Sequence, residues 1–299
     1  MTPEATASRQ TSLAISLFSA GVFFFAVNDA LGKWLVTGYP VGEIMLIRSC
    51  GAGLFLVPML VRDPASLRRP NQLGLHAIRV LIMAGDSFAF YFATRSLPLA
   101  DVMTFYLAAP LLVTLLAMLT LREPIGPWKA LAVVVGFAGV VVALHPSGAS
   151  LSPAAFIALA GSLMFATAIV ITRGLRQTHW LSLVAWQFMG AAVVGAVTSL
   201  GAWVQPSLLD CGLMLLVGFI SMICFISINK ALSLAQASVL APFHYTSIIW
   251  AVLLGWLIWG DIPTHEMCIG IGLIVASGAL VWLRERLAPQ DPHCEAPIA

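Results

Sequence analysis

The sequence predicts an all-α integral membrane protein of ten transmembrane helices, in which one five-helix unit is written twice and the second copy is inverted. Three observations carry this. Of 299 residues, 60% are apolar and 9% charged, whereas soluble domains are about half apolar and a quarter charged. Ten apolar runs follow one another with short polar joints. The stretch Arg95–Leu144 also returns, recognisably, as Lys230–Leu283.

The runs are Leu13–Val36, Glu43–Val61, Leu73–Thr94, Ala100–Leu121, Pro127–Leu144, Pro153–Ile171, Trp180–Val204, Leu208–Ile228, Ala237–Trp259 and His265–Leu283. About 20 residues cross about 30 Å of hydrocarbon, so each run suffices as a helix. Barrel strands would be half as long and alternate in polarity. Joints this short make neighbouring helices antiparallel hairpins. The expected divisions are a cytoplasmic segment 1–12, a first repeat 13–144, a second repeat 153–283 and a disordered cytoplasmic tail 287–299. Residues 1–12 carry acidic Glu4 beside Arg9 and are not expected to form a cleaved signal.

Sliding the second copy back by 138 positions lays Asp261 on Glu123 and Phe243-His244 on Phe105-Tyr106. A slide of 135 lays Lys230-Ala231-Leu232 on Arg95-Ser96-Leu97, so the second copy holds about one extra helical turn. Five helices is an odd number, and the second copy must therefore enter the membrane upside down. That architecture lets one site open to two sides in turn. Basic residues favour the cytoplasmic loops. With the amino terminus inside, twelve of the fifteen Lys and Arg residues lie at cytoplasmic ends and only Lys33, Arg48 and Arg95 lie toward the outside. Both termini are then cytoplasmic.

The doubled unit, the turn Arg122-Glu123-Pro124 with its echo at Asp261, and the glycine-rich helix that follows (Gly136, Gly139; Gly270, Gly272, Gly278) resemble the EamA branch of the drug/metabolite transporter superfamily. The resemblance runs from Leu13 to Leu283. Within that branch the chain looks most like bacterial exporters of aromatic and other neutral amino acids, which implies an inner-membrane location and a small-molecule substrate.

Asp29, Arg48 and Asp86 share a depth of about 9 to 14 Å from the outer helix ends. Unpaired charges there cost several kcal/mol, so the three should pair or face a watery cavity. They are candidates for coupling or gating, with protons as the co-substrate. The alternative is a structural lock of the first three helices. Asp29 and Lys33 also stand in the favourable i, i+4 order, and Arg95 is expected to be held by Asp101 or Glu43.

The aromatic pairs Phe105-Tyr106 and Phe243-His244 are expected to bound a central cavity. Flat rings can stack on a ring or attract an ammonium group, and an intramembrane histidine usually faces a polar interior. Pro110 and Pro242 weaken the two helices beside these pairs. Further candidates for the cavity wall are Asn28, Phe90, Phe165, Thr167, Trp186 and Ser221. Packing against lipid or other helices is the alternative for the aromatic residues.

No HExxH, GxSxG or phosphate-loop motif is present, and the loops are too short to build a hydrolytic site, so an enzyme is not expected. No cofactor and no metal are expected. The five scattered cysteines make neither a disulfide framework nor a zinc site, the basic residues form no nucleic-acid face, and no oligomer is implied. Organic cations or another metabolite, or passive conduction through a channel, stay open as alternatives to amino-acid export.

Overall fold

A chain in hydrocarbon finds no water for its backbone N–H and C=O groups, and a helix satisfies them within one segment. The computed structural model describes residues 3–63, 72–109, 111–113, 115–116, 127–144, 152–175, 178–234, 243–244 and 246–287, and the regular structure among them is helical throughout. In order the helices are α1 (Pro3–Val36), α2 (Val41–Arg62), α3 (Leu73–Thr94), α4 (Leu99–Leu107), α5 (Pro127–Leu144), α6 (Pro153–Gly174), α7 (Trp180–Ser199), α8 (Leu208–Leu234), α9 (Thr246–Trp259) and α10 (His265–Leu287). Among the described residues six stretches, within α1, α2, α3, α6, α7 and α8, are long and apolar enough to cross on their own. Shorter apolar stretches occupy Leu99–Val113, Thr246–Trp259 and His265–Leu280. The turn at Arg122–Gly126, with Glu123, and Pro110, Pro242 and the tail after Leu287 lie outside the described residues.

Local chemistry sets the helix ends. Pro40 and Pro98, both extended, precede α2 and α4. Ser152 Oγ accepts from Ala155 N with proline at the first helical position of α6, the arrangement that suits a proline without an N–H. Ser207 and Thr264 hydroxyls cap α8 and α10 in the same way. The run Ala100–Leu121 is not one continuous helix. α4 stops at Leu107, where Ala108 N bonds to Phe105 O in a tighter turn. The run Trp180–Val204 is helical only to Ser199.

Helices of one half pack chiefly on helices of the other. α1 lies along α8 and α3 along α6; α2 packs on α7, α5 on α10 and α4 on α9; α1 meets α9 as α6 meets α4. Exchanging every helix for the one five places on leaves this pattern unchanged, as a two-fold inverted repeat requires. The molecule is an all-α membrane protein of two inverted five-helix repeats.

The close packing needs small residues, since between lipid-solvated helices it is van der Waals contact that holds. A Cβ at Gly218 of α8 would fall 1.9 Å from Arg48 O on α2. The outward faces are apolar, with Leu54, Val57, Leu81, Val193, Val197 and Leu257 exposed, while Asn28, Asp29, Lys33, Glu43, His76 and Arg79 are buried. This reverses the polarity of a soluble bundle.

Gly218→Ala should therefore lower the thermal midpoint in detergent, by the equivalent of about 1 to 3 kcal/mol of overpacking against backbone. Gly272, which has nothing within 4 Å of an added Cβ, should accept alanine with no loss or a gain of up to about 1 kcal/mol. Equal midpoints for the two variants would contradict the α2–α8 contact.

Candidate functional site

Helical spacing places one polar stripe on each of the first three helices. Phe25, Asn28 and Asp29 stand i, i+3, i+4 on α1; Asp86 and Phe90, and Ser87 and Tyr91, are i, i+4 pairs on α3; Arg48 enters from α2. These residues meet around a cavity of about 100 Å³, lined on the other sides by Ala26, Met103, Tyr106, Leu107, Phe165, His244 and Ser247. All of its charged residues come from the first repeat.

Two tyrosines organise the polar wall. Tyr106 Oη donates to Asp86 Oδ1 at 2.6 Å, and Arg48 Nη1 donates to Tyr91 Oη. Each ring fits where a glycine leaves room: a Cβ at Gly161 would fall 2.4 Å from Tyr106 Oη, and one at Gly32 would fall 2.2 Å from Tyr91 Cε1. Asn28 links the halves, accepting at Oδ1 from Ser221 Oγ at 2.8 Å and donating from Nδ2 to Asp29 Oδ1 at 3.3 Å. Among the described residues no ion pair joins Arg48 to either acid, and Asp29 Oδ2 and Arg48 Nε are buried without a partner. Of the two expected arrangements, mutual pairing or a shared cavity, the three charges adopt the second, with tyrosine and asparagine as their neutral partners.

An aromatic wall adjoins the charges. Phe90 meets Tyr106 edge to face, with centroids 5.4 Å apart, and Tyr106 meets Phe165 at 6.1 Å. The edge-to-face contact of Phe90 and Tyr106 favours the ring quadrupoles.

Of the residues anticipated from sequence, Asn28, Asp29, Arg48, Asp86, Phe90, Tyr106, Phe165 and His244 line the cavity. Ser221 stands one hydrogen bond behind it. Phe105, Phe243 and Trp186 are placed elsewhere. Phe105 is buried in the core, its carbonyl accepting from Ser162 Oγ. Phe243 packs against the cluster of Phe18, Val22 and Ala231, and the Trp186 ring lies 6.2 Å from His76. Thr167 Oγ1 turns back to Leu163 O on its own helix. Tyr91, Phe25, Ser87, Met103 and Ser247 were not anticipated. For Ser87 and Tyr91 the signal was their i, i+4 spacing beside Asp86 and Phe90.

The face of the molecule where α1 ends and α2 begins is tied across the repeats. Gly260, at φ 73°, ends α9, and Asp261 N bonds back to Gly255 O, the crossed bonding of a glycine helix stop. That turn delivers Asp261 to Lys33: Nζ lies 3.0 Å from Oδ2 and 4.5 Å from the Trp259 ring centroid. Lys33 thus pairs with the second repeat and not with Asp29. Glu43 Oε2 accepts from Val204 N at 3.0 Å, and Asp101 adjoins the Lys33–Asp261 pair, while Arg95 is exposed. Neither acid therefore serves Arg95 as expected. Tyr39 Oη completes the face by donating to Asp210 Oδ2 at 2.7 Å, and that acceptor raises the phenol's pKa above its ordinary value.

Comparison with known families gives two successive matches to the EamA-like transporter family, over residues 12–144 and 152–283. The chain belongs to that family. The EamA protein described here is similar over its length to several curated proteins. The S-adenosylmethionine uptake transporter of Rickettsia bellii is 20% identical over 278 residues, covering 93% of this chain and 96% of that protein. The pseudopaline exporter CntI of Pseudomonas aeruginosa is 27% identical over 281 residues, covering 90% and 95%. The riboflavin transporter of Rhizobium johnstonii is 24% identical over 294 residues, covering 95% of each chain. One solved crystal structure has the same fold, with a TM-score of 0.63 at 20% identity, covering 95% of this chain and 99% of its own. EamA members are transporters, and the aromatic amino-acid exporters anticipated from sequence are not among these three curated relatives.

The Lys33–Asp261 contact is open to a double-mutant cycle on Lys33→Met and Asp261→Asn. Thermal unfolding in detergent should give a coupling of about 1 kcal/mol, within the 0.5 to 3 kcal/mol seen for contacting pairs. Additive losses would mean that the pair does not act as one contact.

Proposed function

We propose that this protein is a secondary transporter that exports aromatic and other neutral amino acids across the inner membrane by alternating access through the central cavity. One observation carries the reading: one cavity between the helices offers a guanidinium, carboxylates and an aromatic wall, which together suit a zwitterion bearing a flat side chain. At about 100 Å³ it is smaller than the roughly 300 to 1,000 Å³ of a site enclosing a drug-sized ligand. Its walls must part to admit a substrate, and the inverted repeat supplies a way to part them toward either side. The substrates of two relatives support a substrate with a ring, since S-adenosylmethionine and riboflavin both carry one. Uptake and export both occur among these relatives.

In this reading both termini are cytoplasmic and the face closed by Lys33 and Asp261 is the outer one, in keeping with the excess of basic residues at the opposite loops. The first repeat spans 13–144 and the second 153–283. Protons are the proposed coupling ion, taken up and released at the carboxylates Asp29 and Asp86 beside the permanently charged Arg48. A second reading, organic cations, is favoured by the two cavity carboxylates standing against one guanidinium.

Counterflow in proteoliposomes tests this. Vesicles preloaded with unlabelled solute should accumulate labelled aromatic amino acid transiently and saturably. S-adenosylmethionine, riboflavin and organic cations are measured in parallel. Flux that rises linearly with concentration, with no counterflow for any solute, would contradict a transporter and favour a channel.

A further inference from the structure

Resting on the central-cavity reading above, we propose that the protein reads the two charged ends of an α-amino-acid group at separate atoms. Asp29 Oδ2 accepts the ammonium, and Arg48 Nε donates to the carboxylate. The aromatic wall of Phe90, Tyr106 and Phe165 takes the side chain.

The two acids of the cavity are not equivalent. Asp86 is engaged at Oδ1 by the Tyr106 hydroxyl at 2.6 Å. Asp29 is 4% exposed; its Oδ1 takes the longer bond from Asn28, while Oδ2 is buried without a partner among the described residues. Asn28 is itself fixed from the second repeat by Ser221. Asp29 is thus held by one edge, and the other is buried and unanswered.

Arg48 is complementary. Its fork spends Nη1 on Tyr91 and keeps Nε unpartnered and buried. A guanidinium edge suits a carboxylate in shape and charge. No ion pair joins Arg48 to Asp29, although both line one cavity. The opposite charges are therefore held apart, each with a buried atom to satisfy. Leaving a buried charged group unpaired is the expensive event, so a ligand that answers only one of them is penalised at the other. A site built to hydrogen-bond a group rejects analogues lacking it by large factors. The class of ligand that answers both within one small volume is an α-amino acid.

The test uses L-phenylalanine counterflow in proteoliposomes, with phenethylamine, which lacks the carboxylate, and 3-phenylpropanoate, which lacks the ammonium, as competitors. With the wild-type protein each analogue should compete more weakly than phenylalanine by on the order of tenfold or more. Asp29→Asn should narrow the gap between phenylalanine and 3-phenylpropanoate, and Arg48→Gln the gap between phenylalanine and phenethylamine. The wild-type analogue series decides alone if either variant fails to insert. Analogues that compete as well as phenylalanine overturn the assignment, as do variants that weaken all three ligands alike. Counterflow of another solute without phenylalanine also overturns it while leaving the transporter reading intact. Counterflow of none removes that reading as well.

Discussion

The cost of a charge in an apolar medium is the constraint on which this molecule turns. A chain that is 60% apolar places Asp29, Arg48 and Asp86 inside helices that cross hydrocarbon, where an isolated charge costs several kcal/mol. The fold answers by gathering them on facing stripes of α1, α2 and α3 and giving each a neutral partner. Tyrosine and asparagine engage the charges without cancelling them. Had Arg48 paired directly with an acid, both would have been consumed in structure; bonded through Tyr91 and Asn28, they keep buried atoms for something else to use.

The second dependence is on symmetry and its local breaking. Every major helix contact has a counterpart under exchange of the repeats, so the scaffold is indifferent to which half is which. The chemistry is not. Charges come from the first repeat, while the second contributes Phe165, His244 and Ser247 to the wall and Ser221 behind it. Ser221 stands where the repeat alignment puts the counterpart of Asp86, and its hydroxyl holds Asn28. The second repeat thus grips the charged site without adding charge to it. The ties at the α1–α2 face, Lys33 to Asp261 and Glu43 to Val204, likewise run from one repeat to the other. Any motion that parts the repeats on that face must break them.

Much of this was legible in the chain itself. The apolar runs set the helices, the odd number per repeat set the inversion, and shared depth singled out Asp29, Arg48 and Asp86. What was not legible is rotation about each helix axis. Neighbouring residues on a helix point about 100° apart, so depth along the helix does not say which member of a pair such as Phe105-Tyr106 faces the cavity. Tyr106 turns to Asp86 and Phe105 to the core; His244 lines the cavity and Phe243 packs outside it. Trp186 has the right depth and the wrong face. Lys33 has the right spacing from Asp29, yet a glycine turn 228 residues away in sequence brings it a better partner. Depth is written in the sequence as a count along one helix, whereas facing depends on how all ten pack.

The central claim is that one cavity opens to the two sides of the membrane in turn. It is tested most directly by placing a single thiol there, as Ser87→Cys in a cysteine-free background, and measuring its labelling by a membrane-impermeant maleimide from each side of oriented vesicles. The account predicts labelling from both sides, slowed from both by the transported solute, and a shift of reactivity toward the α1–α2 face when Lys33→Met loosens it. Labelling from one side only, with or without solute and in either background, would contradict it.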